Sequence, residues 1–201
     1  MKQGKVFIVS GPSGVGKSTI LKELLAQQEN IYFSVSATTR KPRPGEKNGV
    51  HYHFYTTEEF QQLIEEEAFL EWAEYVGNYY GTPACYVDEA IAEGRDVLLD
   101  IEVQGARCVS EKRPDAVRIF IAPPSWNELE QRLTERGTDT PEKIKKRLTR
   151  AQEEFRCADG YDYIVVNDTV ENAVSELIAI MTAEHCRPAE RIAMIEGCRK
   201  K

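Results

Sequence analysis

No stretch of this sequence stays apolar long enough to cross a bilayer, and only four clearly apolar residues precede Ser10, too few for a signal-peptide core. Basic residues are in the minority. Against 33 Asp and Glu stand 26 Lys and Arg, a net charge of -7, which argues against a general nucleic-acid binder with a basic surface. The five cysteines (Cys85, Cys108, Cys157, Cys186, Cys198) include no Cys-x-x-Cys pair. An odd, widely spaced set fits neither a disulfide framework nor a zinc site, and reduced thiols in a cytoplasmic protein are the expectation. Neither Gly (13) nor Pro (9) is in excess, and a composition 41% hydrophobic and 29% charged excludes extended disorder. The length suits one buried core, with room for insertions. Neither nucleic acid nor membrane is expected as a partner, and homo-oligomerisation is left open.

Four short apolar runs read as buried strands: Val6–Val9, Val97–Leu99, Val117–Ile121 and Tyr163–Val166. Each lacks the strict alternation of a half-exposed strand, as expected for a parallel sheet covered on both faces. A weaker strand is predicted over Ile31–Ser36. Between these runs lie four stripes at helical spacing: Ile20, Leu21, Leu24 and Leu25; Ala84, Val87, Ala90 and Ile91; Ile144, Leu148, Ala151 and Phe155; Val170, Val174, Leu177 and Met181. Strands alternating with helices predict an α/β fold with right-handed crossovers. Residues 37–82 interrupt the alternation and are too long for a simple loop; they read as an inserted acceptor-binding subdomain. Residues 136–142, with Gly137 closing one helix and Pro141 opening the next, read as part of a mobile lid spanning about 132–157. From 187 to 201 the apolar periodicity is weak and no role is assigned.

The sharpest motif is Gly11-Pro12-Ser13-Gly14-Val15-Gly16-Lys17-Ser18, which fits the G-x-x-x-x-G-K-[ST] phosphate loop. A buried strand runs into it and an amphipathic helix leaves it, the context this chemistry requires. Glycines let the backbone wrap an anion with its N–H groups inward, and the helix adds the positive end of its dipole. Lys17 would charge-pair the β- and γ-phosphates of ATP, and the Ser18 hydroxyl can ligate Mg²⁺. Asp100 follows a buried strand, so it falls at the strand's C-terminal end beside the loop. It could hold the metal or its waters, contact the acceptor, or be a solvated strand-end acid.

In the insertion, Arg40 and Arg43 flank Lys41-Pro42, with Tyr52 following. Two guanidinium forks on a Pro-stiffened segment can grip a phosphate, with phenol hydroxyls completing the shell, although such a pair also suits a solvated loop. Then comes the run Phe69-Leu-Glu71-Trp-Ala-Glu-Tyr-Val-Gly-Asn-Tyr-Tyr80-Gly-Thr82. Together with Ser34-Val-Ser-Ala-Thr-Thr-Arg40-Lys-Pro-Arg43-Pro-Gly-Glu46 and Leu99-Asp-Ile-Glu-Val-Gln-Gly105, it closely resembles the guanylate kinase family, over roughly residues 4 to 185.

That resemblance implies a P-loop kinase core carrying a GMP-binding subdomain and a lid. It also implies the reaction ATP plus GMP giving ADP plus GDP, in purine nucleotide metabolism. By resemblance, Arg40, Arg43, Tyr52 and Tyr80 bind the GMP phosphate; Ser36, Glu71 and Thr82 meet the guanine, with Asp100 near the nucleotide. Thr82 stands where many members carry Ser, keeping the hydroxyl. Lid arginines match Arg136 and Arg147, and Asn167 matches a contact on the adenine side. Independently, a Glu71 carboxylate suits guanine's adjacent N1–H and amino donors and would face a lone pair in adenine. The rest of the basic stretch 132–156 reads as a solvated face balanced by Glu135, Glu142, Glu153 and Glu154. Two other readings stay open: a non-catalytic scaffold module of this fold, which the intact Gly16-Lys17-Ser18 disfavours, and a P-loop kinase for another acceptor.

Overall fold

The computed structural model describes residues 3–135 and 140–198. In chain order, β1 (Val6–Ser10) leads into α1 (Lys17–Gln27) and β2 (Ile31–Phe33). A second group follows: β3 (Ala37–Thr38), β4 (His53–Phe54), α2 (Thr57–Glu65), β5 (Phe69–Tyr75) and β6 (Asn78–Pro83). Next come α3 (Ala84–Ala92), β7 (Asp96–Asp100), α4 (Val103–Lys112), β8 (Val117–Ala122) and α5 (Trp126–Glu135). Then follow α6 (Pro141–Phe155), β9 (Tyr163–Val166), α7 (Val170–Glu184) and the short α8 (Pro188–Arg191).

The main sheet has the order β2-β7-β1-β8-β9, and every pairing in it is parallel. Successive side chains of a strand point to opposite faces, and β1 shows what that does to a strand buried on both sides. Phe7 and Val9 join Ile20, Leu24 and Leu177 in one core, contributed by α1 and α7. Val6 and Ile8 join Val87, Ile91, Ala106 and Val109 in the other, contributed by α3 and α4. All five residues of β1 are buried. Each large aliphatic or aromatic side chain so placed contributes roughly 1.5–3 kcal/mol relative to exposure, which explains why β1 carries no polar alternation. β9, expected to be covered on both faces, is instead an edge strand with Ile164 54% and Val166 42% exposed.

The predicted strand Ile31–Ser36 is shorter in the structure. β2 stops at Phe33; Ser34 N–H still donates to Leu98 O at 3.0 Å, after which the chain crosses into the second sheet. That second sheet, order β4-β3-β6-β5, is built from residues 37–83. Its small core stacks Phe60 on Phe69 at 4.3 Å between ring centres, beside Ala37. Two further helices lie outside the four predicted stripes, although α2 packs Phe60, Leu63 and Ile64 on the small core at helical spacing. α2 is started by a capping box, in which the Thr56 hydroxyl accepts from Glu59 N–H and the Glu59 carboxylate accepts from Thr56 N–H. α4 buries only Ala106 and Val109.

α5 and α6 pack on each other through Leu129, Leu133, Ala151 and the partly buried Ile144, Leu148 and Phe155. α6 begins as expected, with Pro141 in its first turn and the Thr140 hydroxyl capping Lys143 N–H. Gly137 and Arg136 lie outside the described residues. Beyond α7, Lys5 Nζ meets Glu190 Oε1 at 2.8 Å and Arg191 Nε donates to His185 O at 2.9 Å, which docks α8 at the edge of the core opposite the phosphate loop.

Candidate active site

The phosphate loop leaves the central strand of the main sheet at its C-terminal end. Gly16 is the N-cap of α1 with φ 94°, a left-handed conformation that a side chain would strain, and a Cβ there would also fall 2.5 Å from Asn167 Nδ2. Gly11, Pro12, Ser13, Gly14, Gly16, Lys17 and Ser18 all line one open cleft of about 620 Å³. Val15, the remaining residue of the motif, turns inward and is buried at 1% exposure.

Two long-range donors hold the Val15 carbonyl. Asn167 Nδ2, itself buried, donates to it at 2.7 Å, and Arg132 Nη1 donates to it at 3.2 Å. Arg132 Nη2 also donates to Asn167 O at 3.1 Å, so α5, the end of β9 and the phosphate loop are tied at one point. The basic run suggests a solvated face at Arg132. The structure instead engages it with the loop, and because its partners lie 117 and 35 residues away, no local pattern announces this. Asn167 thus lies beneath the cradle, its amide nitrogen engaged by the loop.

Strand pairing sets Asp100 beside Val9, at the same end of the sheet. Lys17 Nζ lies 2.6 Å from Asp100 Oδ1, both partly buried. The cleft wall continues through Glu102 and Tyr75 to Lys146, Arg147, Arg150 and Glu154 of α6. Arg147, matched by resemblance to a lid arginine, thus lines the same cleft as the loop. The other lid arginine named from the sequence, Arg136, is outside the described residues. Glu102, Tyr75 and Arg150 are additions; Glu102 and Tyr75 each sit inside a quoted motif, but nothing local distinguishes Arg150 within the basic stretch.

A second cluster belongs to the smaller sheet. Thr82 Oγ1 donates to Glu71 Oε1 at 2.6 Å across the β5–β6 pair, where Glu71 and Thr82 are register partners. Burial raises the Glu71 pKa above the usual carboxylate value, partly offset by the Thr82 bond. Gly105, in the first turn of α4, makes room for this carboxylate: a Cβ there would come 3.2 Å from Glu71 Oε2. Nearby, the Arg40 guanidinium lies over the Tyr52 ring at 5.3 Å, and Tyr52 meets Tyr80 edge-on at 6.2 Å. Glu46 organises this loop. One carboxylate oxygen accepts from Arg40 Nη2 at 2.9 Å and the other from Arg43 N–H at 2.7 Å. The Arg40 guanidinium and then the Arg43 amide hold the Glu46 pKa down at about 2. Arg43 joins through its main chain, its side chain exposed. Ser36 is partly buried, and its carbonyl accepts from His53 N–H at 2.9 Å.

A phosphate loop on the central strand of a parallel sheet, faced by cations from a helical pair and flanked by a separate arginine, tyrosine and carboxylate pocket, defines a P-loop kinase. The guanylate kinase family model matches residues 3–184. Guanylate kinase of Desulfitobacterium hafniense (strain Y51) is 50% identical over 194 residues, covering 96% of this chain and 97% of that protein. Guanylate kinase of Shouchella clausii (strain KSM-K16) is 54% identical over 186 residues, 92% and 91% of the two chains. Among solved structures, guanylate kinase from Anaplasma phagocytophilum superposes with a TM-score of 0.72 at 35% identity, covering 93% of this chain and 89% of that one. The chain belongs to the guanylate kinase family. Among the described residues, no helix is long and apolar enough to cross a membrane.

Proposed function

We propose that the two clusters divide the labour of one reaction, transfer of the γ-phosphoryl group of ATP to GMP to give ADP and GDP in the cytoplasm. The observation that carries this division is the Thr82-held, burial-shifted Glu71 carboxylate in a pocket apart from the phosphate loop. ATP lies with its phosphates in the loop of Gly11 to Ser18, where inward N–H groups and the α1 dipole stabilise the anion and Lys17 adds a full charge. Binding moves Lys17 from Asp100 to the β- and γ-phosphates. Arg147 of α6, with Arg136 on the same lid, covers the charge that develops on the transferring group. Asn167 serves the ATP site by keeping the loop in shape from below.

GMP enters against the smaller sheet. Arg40, Arg43, Tyr52 and Tyr80 take its phosphate, with Glu46 holding the arginine-bearing loop. Glu71 accepts from guanine N1–H and the amino group together, and Thr82 and Ser36 complete the contact with the base. Asp100 stands between the two nucleotides. Ionised Glu71 is the form that discriminates, because adenine would set its N1 lone pair against the carboxylate. The residues also fit Mg²⁺, a hard cation that keeps several waters: Ser18 supplies a hydroxyl and Asp100 a carboxylate in the same cleft. When bound, the ion would neutralise charge on the phosphate oxygens. Closure of α5 and α6 excludes water, the competing acceptor.

Steady-state kinetics of Glu71→Gln with GMP and AMP test the assignment. Replacing the acceptor oxygen by a donor amide should raise KM for GMP about five- to a hundredfold, on a cost of roughly 1–3 kcal/mol per mispaired buried group, and narrow the preference over AMP. Unchanged GMP kinetics would remove Glu71 from base recognition.

A further inference from the structure

α6 carries the cations that face the phosphate loop; its apolar contacts are mostly with α5, and it meets the sheet at its last residue, where Phe155 lies 5.8 Å from Phe120 of β8 between ring centres. An ionic link ties it to the core. Arg150, one turn beyond Lys146 and Arg147, directs Nη2 to Glu102 Oε2, at the N-cap of α4 and two residues past Asp100. Its Nε donates to Glu154 Oε1 at 3.2 Å on the next turn of α6. The guanidinium is thus forked between a carboxylate of its own helix, which fixes its rotamer, and one of the core.

This cluster also forms a wall. The cleft over the phosphate loop and a second cavity of about 610 Å³ between α4 and α6 share Glu102, Lys146, Arg150 and Glu154 as lining. Opening the Arg150–Glu102 contact would join the two spaces and leave α6 attached through α5 and, at its far end, through Phe155 on Phe120.

We infer that Arg150 is a positioning residue for phosphoryl transfer: its fork to Glu102 and Glu154 straps α6 to α4 and so holds the α6 cations over the phosphate cleft. The strap acts on the donor nucleotide, because the side chains it positions face the loop and not the Glu71 pocket. Both groups are more than half exposed, Arg150 at 52% and Glu102 at 68% of the side chain. The effect is therefore that of a solvated network, about two- to fivefold in the equilibrium it controls.

The test is a double-mutant cycle on the full chain: Arg150→Gln, Glu102→Gln and both together, with KM for ATP and kcat measured at saturating GMP. The strap predicts that each single change raises KM for ATP about two- to fivefold with a smaller change in kcat. It also predicts that the double variant is no worse than the weaker single one and that Arg150→Lys, which keeps the charge without the fork, recovers only part of the loss. A rise in Arg150→Gln with none in Glu102→Gln would make Arg150 a direct nucleotide contact and overturn the strap. Additive losses, or parental values throughout, would overturn it too. The inference rests on the cleft being the donor site, a reading that fails separately, through retained turnover in Lys17→Ala.

Discussion

The hydroxyl of Thr82 donates to Glu71 Oε1 at 2.6 Å, fixing one carboxylate oxygen while the other faces the first turn of α4 at Gly105. A strand pair and a helix, from sequence segments more than twenty residues apart, thereby set the orientation of one buried acid. Thr82→Val keeps the shape and removes the donor. Losing a hydrogen bond to a charged group costs about 1.5–3 kcal/mol, so KM for GMP should rise roughly tenfold or more, with KM for ATP unchanged. Thr82→Ser should stay near the parent. The measurement is KM for each nucleotide at saturation of the other.

Burial raises the Glu71 pKa, so the folded, nucleotide-free protein holds a proton there more readily than the unfolded chain does. The sign follows: this site's contribution to folding stability falls as pH rises from the ordinary glutamate range to the raised value, while GMP recognition by the ionised form grows over the same interval. The acid limb of kcat/KM for GMP should therefore lie above the ordinary glutamate value, and in Thr82→Val, which loses the bond that lowers the pKa, it should move to higher pH. A pH profile of kcat/KM on both proteins checks this.

Gly105→Ala separates helix propensity from site geometry. Alanine favours a helix by about 1 kcal/mol over glycine, but its Cβ would come 3.2 Å from Glu71 Oε2 and press the carboxylate toward the nucleotide. The expected result is a melting temperature equal to or above the parent with KM for GMP raised several-fold. Thermal unfolding and GMP kinetics on the same preparation distinguish it from a simple folding defect.

Asn167→Ala removes a buried donor from the Val15 carbonyl and opens a gap beside Gly16. Because Arg132 still donates to that carbonyl, the loss should cost about 0.5–1.5 kcal/mol of stability, the net worth of one hydrogen bond. It should also raise KM for ATP, because the loop loses its support, while KM for GMP changes little. Denaturant unfolding and ATP kinetics report the two effects.

What the sequence discloses here follows the range of the interactions. β1, β7 and β8 are legible because strands buried on both faces must be largely apolar, and Gly16-Lys17-Ser18 because a phosphate cradle needs those residues at consecutive positions. β9 is apolar too, yet it lies at the sheet edge with Ile164 and Val166 exposed. β2 ends earlier than its apolar character suggests, at Phe33, where the chain leaves one sheet for the other. α4 goes unannounced because only Ala106 and Val109 of its ten residues reach the core. Arg132, Arg150 and Asn167 act through partners 35 to 152 residues away. In sequence, an arginine that ties a helix to a loop looks the same as one in solvent.

The most direct measurement is ADP formation by the purified chain with ATP and Mg²⁺ against GMP, dGMP, AMP, CMP and UMP in turn, with Lys17→Ala alongside. Turnover should be confined to the guanine nucleotides, and Lys17→Ala should lose it by about two to three orders of magnitude or more, the scale of removing one preorganised donor to the transition state. Comparable turnover with AMP, or activity that survives Lys17→Ala, would contradict the division into a phosphate-loop donor site and a Glu71 acceptor pocket.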